Sequence, residues 1–430
     1  MKVIAILPVK GSSSRIKHKN LQLLDGQPLF LHTLKKLIKC RFIDEVYLDT
    51  ESDLIINLAS DIDCKIFKRD PLLSSNNTDG NKLLLNEVKN IPADIYIQIL
   101  STSPFIEEST IEKGVQAVKS NNFDSAVLMR KEKLYTWNKN NPNYSLDKIP
   151  NSIDLEDTMI ETMGLYIISQ KAALKTKRRI GEKPFFLEAS AIEAVDVNWP
   201  DDFSLANLIA IGKRETERKL LNNIKTHLTS SMLSDILDDL KINSTLEGYT
   251  LNLPNTKIFG KVKTLKLRLL KNGEDFKGIY KSLESYNSII PNDIIVVKND
   301  AEQFAYFGEL NANLAIRSGA SAAIISSPTR DSQEVKKIGF PVFSKGYTCK
   351  DVRGRATLES YNKDIEIDNI KIATDDLIFG DSDGITVIPN KVIDIVLKKA
   401  FEVIQTEKNI LIDIAHGINT ESLIKQHGFF

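Results

Sequence analysis

Between residue 3 and about residue 212, short apolar runs alternate with amphipathic stretches, and this alternation admits few folds. KVIAILP reads as a strand, PLFLHTLKKLIKC as an amphipathic helix and EVYLDTE as a second strand. DIYIQIL, a helix through IEKGVQAVK, then SAVLMR and GLYIIS continue the series. Such a pattern predicts an α/β domain: a mostly parallel, doubly wound sheet with helices on both faces. Ligands of such sheets bind beyond the carboxyl ends of the strands.

The grammar then changes. IGKRETERKLLNNIKTHL, at 211–228, carries two long charged residues per turn and predicts a solvated helix joining two domains. Beyond it, TSSMLSDILDDLKI reads as a capped helix and GKVKTLKLRLL and NDIIVVKND as strands. GELNANLAIRSGASAAIISS reads as a helix ending near Gly319 followed by a buried strand, and DLIFGDSDGITVIP as short strands broken by Asp-Gly turns. This is a second, mixed α/β pattern. At 430 residues the chain is long enough for two domains, expected at 1–215 and 229–430 with 216–228 as connector.

Charge excludes some functions. Lys+Arg and Asp+Glu both number 57, so no global field draws the chain to nucleic acid or to an acidic membrane. The apolar runs are too short to span a bilayer, and Met1-Lys2 leads directly into a strand, leaving no signal peptide. Cys40, Cys64 and Cys349 are scattered, as in a reduced, cytoplasmic protein, and neither they nor the five histidines show metal-ligand spacing.

Any polyanion site must then be local, and LPVKGSSSRIKHKNL (7–21) offers one. It follows the first strand at once. Gly11 admits close approach of the backbone, Ser12, Ser13 and Ser14 bring amides and hydroxyls, and Arg15 and Lys19 bring a fork and a point charge. A triphosphate needs such a cradle. No GK followed by Ser or Thr closes it, so it is not a Walker A loop. On residues alone, a solvated basic loop fits as well.

LPVKGSSSRIKHKNLQLLDGQPL resembles the opening signature of the CMP-sugar synthetases, the N-acylneuraminate and KDO-type cytidylyltransferases, whose pattern runs roughly P-A-R-G-G-S-K-R-I/L-x-x-K-N and then G-K-P-L. In order, LSTSPFIEESTI resembles their Q-P-T-S-P-L-R, ETMGLYIIS their E-N-G-A-I-Y-I, and VDVNWPDDFSLA their I-D-I-D-T-P-E-D. The resemblance implies a nucleotide-diphospho-sugar transferase-like sheet in which Lys10, Gly11, Ser13, Arg15, Lys19 and Asn20 hold CTP. It implies substrate contacts from Thr102 and Ser103, and a sugar pocket at Glu161, Thr162 and Gly164. It also implies Mg²⁺ (or Mn²⁺) at Asp196, with Asn198 as a further oxygen ligand. Lys10 replaces an arginine, Ser12 a glycine, Leu100 and Ser101 a Gln-Pro pair, and Asn198 an aspartate.

In the second half, Glu309 is followed after twenty residues by Arg330-Asp331 and then by Glu334. A helix-then-strand reading returns the chain to one sheet end, where the four side chains could form a hard-oxygen metal site beside a guanidinium. Spacing alone favours a surface cap and a scattered ion pair over such a site. This half, roughly 226–405, resembles the family of the regulator of ribonuclease activity A and the class II 4-hydroxy-4-methyl-2-oxoglutarate (HMG/CHA) aldolases. The resemblance rests on SMLSDILDDLKI, FGELNANLAIRSGASAAII, GFPVFSKG and DLIFGDSDGITVIP. The aldolases carry D-x20-R-D-x2-E/D. The resemblance implies an RraA-like swivelling β/β/α fold, Arg330 and Asp331 as catalytic groups, and metal at Asp331 and Glu334. It places the pyruvyl group at Gly308, Glu309, Leu310, Asn311 and Arg330. Ser326-Ser327-Pro328 departs from the family's D-G-A.

The two resemblances together predict a bifunctional enzyme of acidic-sugar metabolism. One half couples a 2-keto-3-deoxy sugar acid to CMP, and the other makes or cleaves such an acid through pyruvate. The alternative is a CMP-sugar synthetase whose second half only assembles it. Partners expected are CTP, the sugar acid, pyruvate or a related 2-ketoacid, and further copies of the chain, as trimers or hexamers through the second half or dimers through the first.

Overall fold

The computed structural model describes residues 1–60, 62–75 and 78–428. The chain divides into two compact units, Met1–Gly212 and Lys213–Phe430.

The first unit is built on a seven-stranded sheet. Its strands are β1 (Val3–Pro8), β2 (Glu45–Thr50), β3 (Lys65–Lys68), β4 (Ile95–Ile99), β5 (Ser125–Glu132), β6 (Thr158–Ser169) and β7 (Pro184–Glu188), in the spatial order β7-β5-β6-β4-β1-β2-β3. All neighbours pair in parallel except β6, which runs antiparallel to both β4 and β5.

Strand β1 reads as an unbroken apolar run because both its faces are covered. Val3, Ala5 and Leu7 point into one core with Phe30, Leu34 and Leu37 of α1 (Leu29–Lys39). Ile4 and Ile6 point into the opposite core, with Leu84 and Val88 of the helix Gly80–Asn90 and Ala172 and Ala173 of Gln170–Thr176. A third, smaller cluster sits beside the carboxyl edge of the sheet. There Leu24, Leu29, Phe105, Val197, Ala206 and Ala210 bury one another, with Ile16 packed against them. A fully buried aliphatic side chain contributes about 1.5–3 kcal/mol; Ile16, partly buried, contributes less, and ties the cationic loop to this cluster by an apolar contact.

The polar helix begins earlier than its charge pattern indicates. It runs Pro200–Lys225, 26 residues, where the sequence places it at 211–228. Pro200 sits in the first turn, where its missing N–H costs nothing, and Asp202 accepts from the N–H groups of Asn198 (2.9 Å) and Trp199 (2.8 Å). Ala206 and Ala210 pack within the first unit, and Leu221 and Ile224 within the second.

The second unit opens with the helix Ser230–Asp239, whose Thr229 cap accepts from Met232 N–H at 3.1 Å. Its nine-stranded mixed sheet is centred on the long strand Ile258–Leu269. One half of that strand pairs antiparallel with Leu377–Gly380, and the other runs parallel to Ile294–Asn299. The parallel series continues through Ala322–Ile325 to Val342–Ser344. The helix Glu309–Ser318 ends at Gly319, whose φ of 95° only glycine adopts without strain. Among the described residues, no helix is long and apolar enough to cross a membrane.

Candidate active site

Strand β1 ends at Pro8, and the loop that follows meets three other segments at the carboxyl edge of the first sheet. Lys19 is buried, and its Nζ donates to the Val197 carbonyl at 2.7 Å. Val197 N–H donates to the Thr102 carbonyl at 2.8 Å. Asn20, also buried, donates from Nδ2 to the Lys10 carbonyl at 2.8 Å and accepts from Ser101 Oγ at 2.8 Å. Leu100 N–H donates to the Gly164 carbonyl at 2.9 Å. One hydrogen-bonded belt therefore joins the residues singled out at 10–20, 102–103, 164 and 196–198. Ser101, a departure from the family pattern, supplies one of its bonds.

Gly11 serves its own chain. A Cβ there would lie 2.8 Å from Ser52 Cβ, so glycine is required by the close approach of β2's end rather than by a left-handed backbone. Arg15 is exposed and stands over the Trp199 ring, 5.6 Å from its centroid. Such a contact contributes about 0.5–1 kcal/mol at an exposed position. Ser13 is half-buried. Burial pulls the Lys19 amine below its ordinary pKa, and Arg15 adds to this, while Asp196 and Asp202 oppose it.

Asp196 Oδ2 accepts from Asn198 Nδ2, whereas Asp196 Oδ1 is buried without a hydrogen-bond partner. An orphaned carboxylate oxygen is costly unless a cation meets it. That donor set fits Mg²⁺, which takes one or two carboxylates and leaves its other positions to water and phosphate. Among the described residues, no group of three or more His, Cys, Asp and Glu is placed to enclose a metal.

The sugar-pocket candidates lie on a bulge of β6, whose register against β5 shifts between Glu161 and Tyr166. Glu161 accepts from the Tyr166 hydroxyl, and Thr162 Oγ1 donates to the Leu128 carbonyl at 3.1 Å. A Cβ on Gly164 would come within 2.4 Å of Ser103 Oγ, an atom that is itself buried without a partner. Met163 takes φ of 62° at the bulge, a left-handed conformation that is unfavourable for a residue bearing a Cβ.

In the second unit the predicted cluster forms only in part. Glu309 N–H donates to Asp331 Oδ2 at 3.1 Å, and Arg330 Nε stands 3.6 Å from the same oxygen. Asp331 itself has φ of 55°, and a Cβ on Gly308 would lie 2.4 Å from its Oδ2, so Gly308 makes room for this carboxylate. Leu310 is exposed, and Asn311 turns its amide to the Tyr306 carbonyl at 2.6 Å. Glu334 is drawn to Lys337 at 3.8 Å. Arg330 has a stronger partner, Asp351, at 2.5 Å, and it lines a small cavity with Asn252, Phe307, Thr329 and Tyr347. A metal here would rest on Asp331 and Glu334 with water completing its shell; the oxygen count is low, and the Arg330–Asp331 contact competes for one of them.

Asp351, Glu51 and Trp199 are missed by the sequence reading. Asp351 lies in KDVRGR, a charged stretch that carries no motif. Glu51 is the last residue of EVYLDTE, read as strand, whereas β2 stops at Thr50, and Trp199 replaces a threonine in a motif otherwise read for its carboxylates.

The cytidylyltransferase family model matches residues 4–220, half of the chain and all four segments of the belt. The chain belongs to the cytidylyltransferase family. In this cytidylyltransferase a further family model, RraA-like (Aldolase/RraA), matches residues 230–387, so the second unit carries an RraA-like domain. The N-acylneuraminate cytidylyltransferase of Streptococcus agalactiae is 22% identical over 335 residues, covering 73% of this chain and 78% of that one. A Halalkalibacterium halodurans protein provisionally named a 4-hydroxy-4-methyl-2-oxoglutarate aldolase is 29% identical over 176 residues, 40% of this chain and 78% of its own. Protein DlpA of Legionella pneumophila is 26% identical over 195 residues, and the cytidylyltransferase described here covers 45% of itself and 31% of DlpA in that match.

Proposed function

We propose that the first unit transfers a cytidylyl group from CTP to a 2-keto-3-deoxy sugar acid, with release of pyrophosphate. The observation that carries this reading is the belt joining Lys10, Lys19, Asn20, Thr102 and Asp196 at the carboxyl edge of a mostly parallel sheet. The anomeric hydroxyl attacks the α-phosphate in line, forming the new P–O bond as the bond to pyrophosphate breaks. Lys19 and Arg15 offset charge on the phosphates, and the Ser12–Ser14 segment offers hydroxyls and amides. Asp196, with Asn198, would hold the divalent cation, which supplies further charge neutralisation when bound. Pyrophosphate release from CTP, measured across a panel of sialic, octulosonic and related acids, tests the reading. No release with any of them would overturn it.

For the second unit we propose a pyruvate aldolase-type site acting on a 3-deoxy-2-ketoacid. Arg330 would take the pyruvyl carboxylate, and Asp331 and Glu334 would hold Mg²⁺ or Mn²⁺. The Arg330–Asp351 pair favours a second reading, in which this domain is an assembly or protein-binding module whose arginine is already satisfied. Pyruvate release by wild type and by Asp331→Ala separates the two: loss in the variant supports the aldolase, and no release from either supports the module.

A further inference from the structure

We propose that Glu51 is a positioning residue for cytidylyl transfer, fixing the root of the cationic loop to the edge of the sheet. The inference rests on the CTP reading of that loop. Glu51 is the first residue past β2, and its two carboxylate oxygens are divided between two segments. Oε1 accepts from Gly11 N–H at 2.8 Å, and Oε2 accepts from Ser74 Oγ at 2.9 Å. Arg69 Nη1 approaches the same carboxylate at 3.9 Å, and Arg69 is itself held by Asp49 through two bonds of 2.9 Å, with both side chains almost wholly buried.

Strands β1, β2 and β3 are parallel, so the segments that follow them leave the sheet at one edge. Glu51 is the group on which all three converge. The Ser52 contact that forbids a Cβ at residue 11 brings Gly11 N–H against this carboxylate, so the loop cannot shift outward without giving up a charge-assisted bond. Burial works against the charge on Glu51, yet the hydrogen bonds from Gly11, from its own backbone N–H and from Ser74, together with the nearby Arg69 charge, outweigh it and hold the pKa below its ordinary value. At neutral pH it is therefore an anion buttressing a cationic loop from behind. Asn20 fixes the Lys10 carbonyl one residue away, so the loop is held at adjacent positions from both sides.

Without Glu51 the loop samples positions in which its cations miss the phosphates. That loss falls on CTP binding more than on the chemical step. The test is steady-state kinetics of pyrophosphate release with CTP varied. Glu51→Ala is expected to raise the KM for CTP about tenfold with kcat within about twofold. Glu51→Gln keeps an acceptor for Gly11 and is expected to recover most of the loss. Should the alanine variant not fold, Glu51→Asp reads the same contact: one methylene shorter, it cannot reach Gly11 and Ser74 together, and a rise of about threefold is expected. A wild-type KM in these variants, or a fall in kcat with KM unchanged, overturns the proposal. A wild type that uses CTP while the variants match it takes down this inference alone. A wild type that shows no saturable use of CTP takes down the reading beneath it as well.

Discussion

Lys19 Nζ lies 2.7 Å from the carbonyl of Val197, 178 residues further along the chain. This bond closes the candidate site, because it fixes a buried ammonium whose charge the loop's arginine opposes and the carboxylates of Asp196 and Asp202 favour.

Replacing Lys19 by methionine keeps the buried stem and removes the charge. The expected result is a fall in kcat/KM for CTP of about 100-fold with little change in thermal stability, read by initial rates and a melting curve. Because the Lys19 amine titrates below the ordinary lysine value, the alkaline limb of the wild-type rate profile should fall earlier than an unperturbed lysine would allow. That limb should be absent from the variant.

Chelation should abolish CMP transfer, and Asp196→Ala should raise the Mg²⁺ concentration needed for half-maximal rate by about tenfold or more, since it deletes the buried oxygen that lacks a partner. A Mg²⁺ titration of pyrophosphate release measures this. An unchanged requirement would move the cation away from Asp196.

Asp351 competes with any carboxylate ligand for Arg330. Asp351→Asn should therefore tighten binding of oxalate, a dicarboxylate of pyruvate-enolate shape, by roughly threefold to tenfold in calorimetric titration. Weaker binding would make Asp351 an orienting partner of the arginine instead.

Burial raises the Asp293 carboxyl from its ordinary 3.8 to about 7, with Lys263 and Lys261 opposing and Asp375 reinforcing. A carboxyl whose folded pKa is raised contributes stability that is complete below about pH 4 and is lost as pH rises through about 7. The melting temperature of the protein should thus fall by on the order of 5 °C between about pH 5 and pH 8. Asp293→Asn should flatten that slope in scanning calorimetry.

The alternation of patterns in the first half was sufficient to read a mostly parallel sheet, since period and element length are local properties of the chain. The direction of β6 was not legible: GLYIIS shows a buried strand, and nothing in its period distinguishes parallel from antiparallel pairing. The start of the helix at Pro200 was missed because its cap is made by a residue within its own first turn, Asp202, behind a proline. At the site, the residue types at 10–20 are notable for their chemistry, whereas Asp196 is singled out by the family resemblance alone. Their contact depends on a fold that brings distant segments together, and the contacts of Glu51 with Gly11 and of Trp199 with Arg15 appear only in that fold. In the second unit the spacing of the motif is kept, with Glu309 in place of the usual aspartate, yet Glu334 turns to Lys337 and Arg330 to Asp351, because a spacing rule does not record competing partners.

The bond from Lys19 to Val197 also bears on the order in which the protein is made. All seven strands of the first sheet precede residue 189, so a chain emerging from the ribosome can lay down the whole sheet while its cationic loop still lacks the carbonyl that holds it. The loop is then fixed only after the sheet is complete, and a nascent chain cut short before Val197 would carry all seven strands while lacking both that carbonyl and the apolar partners of Ile16 at 197–210.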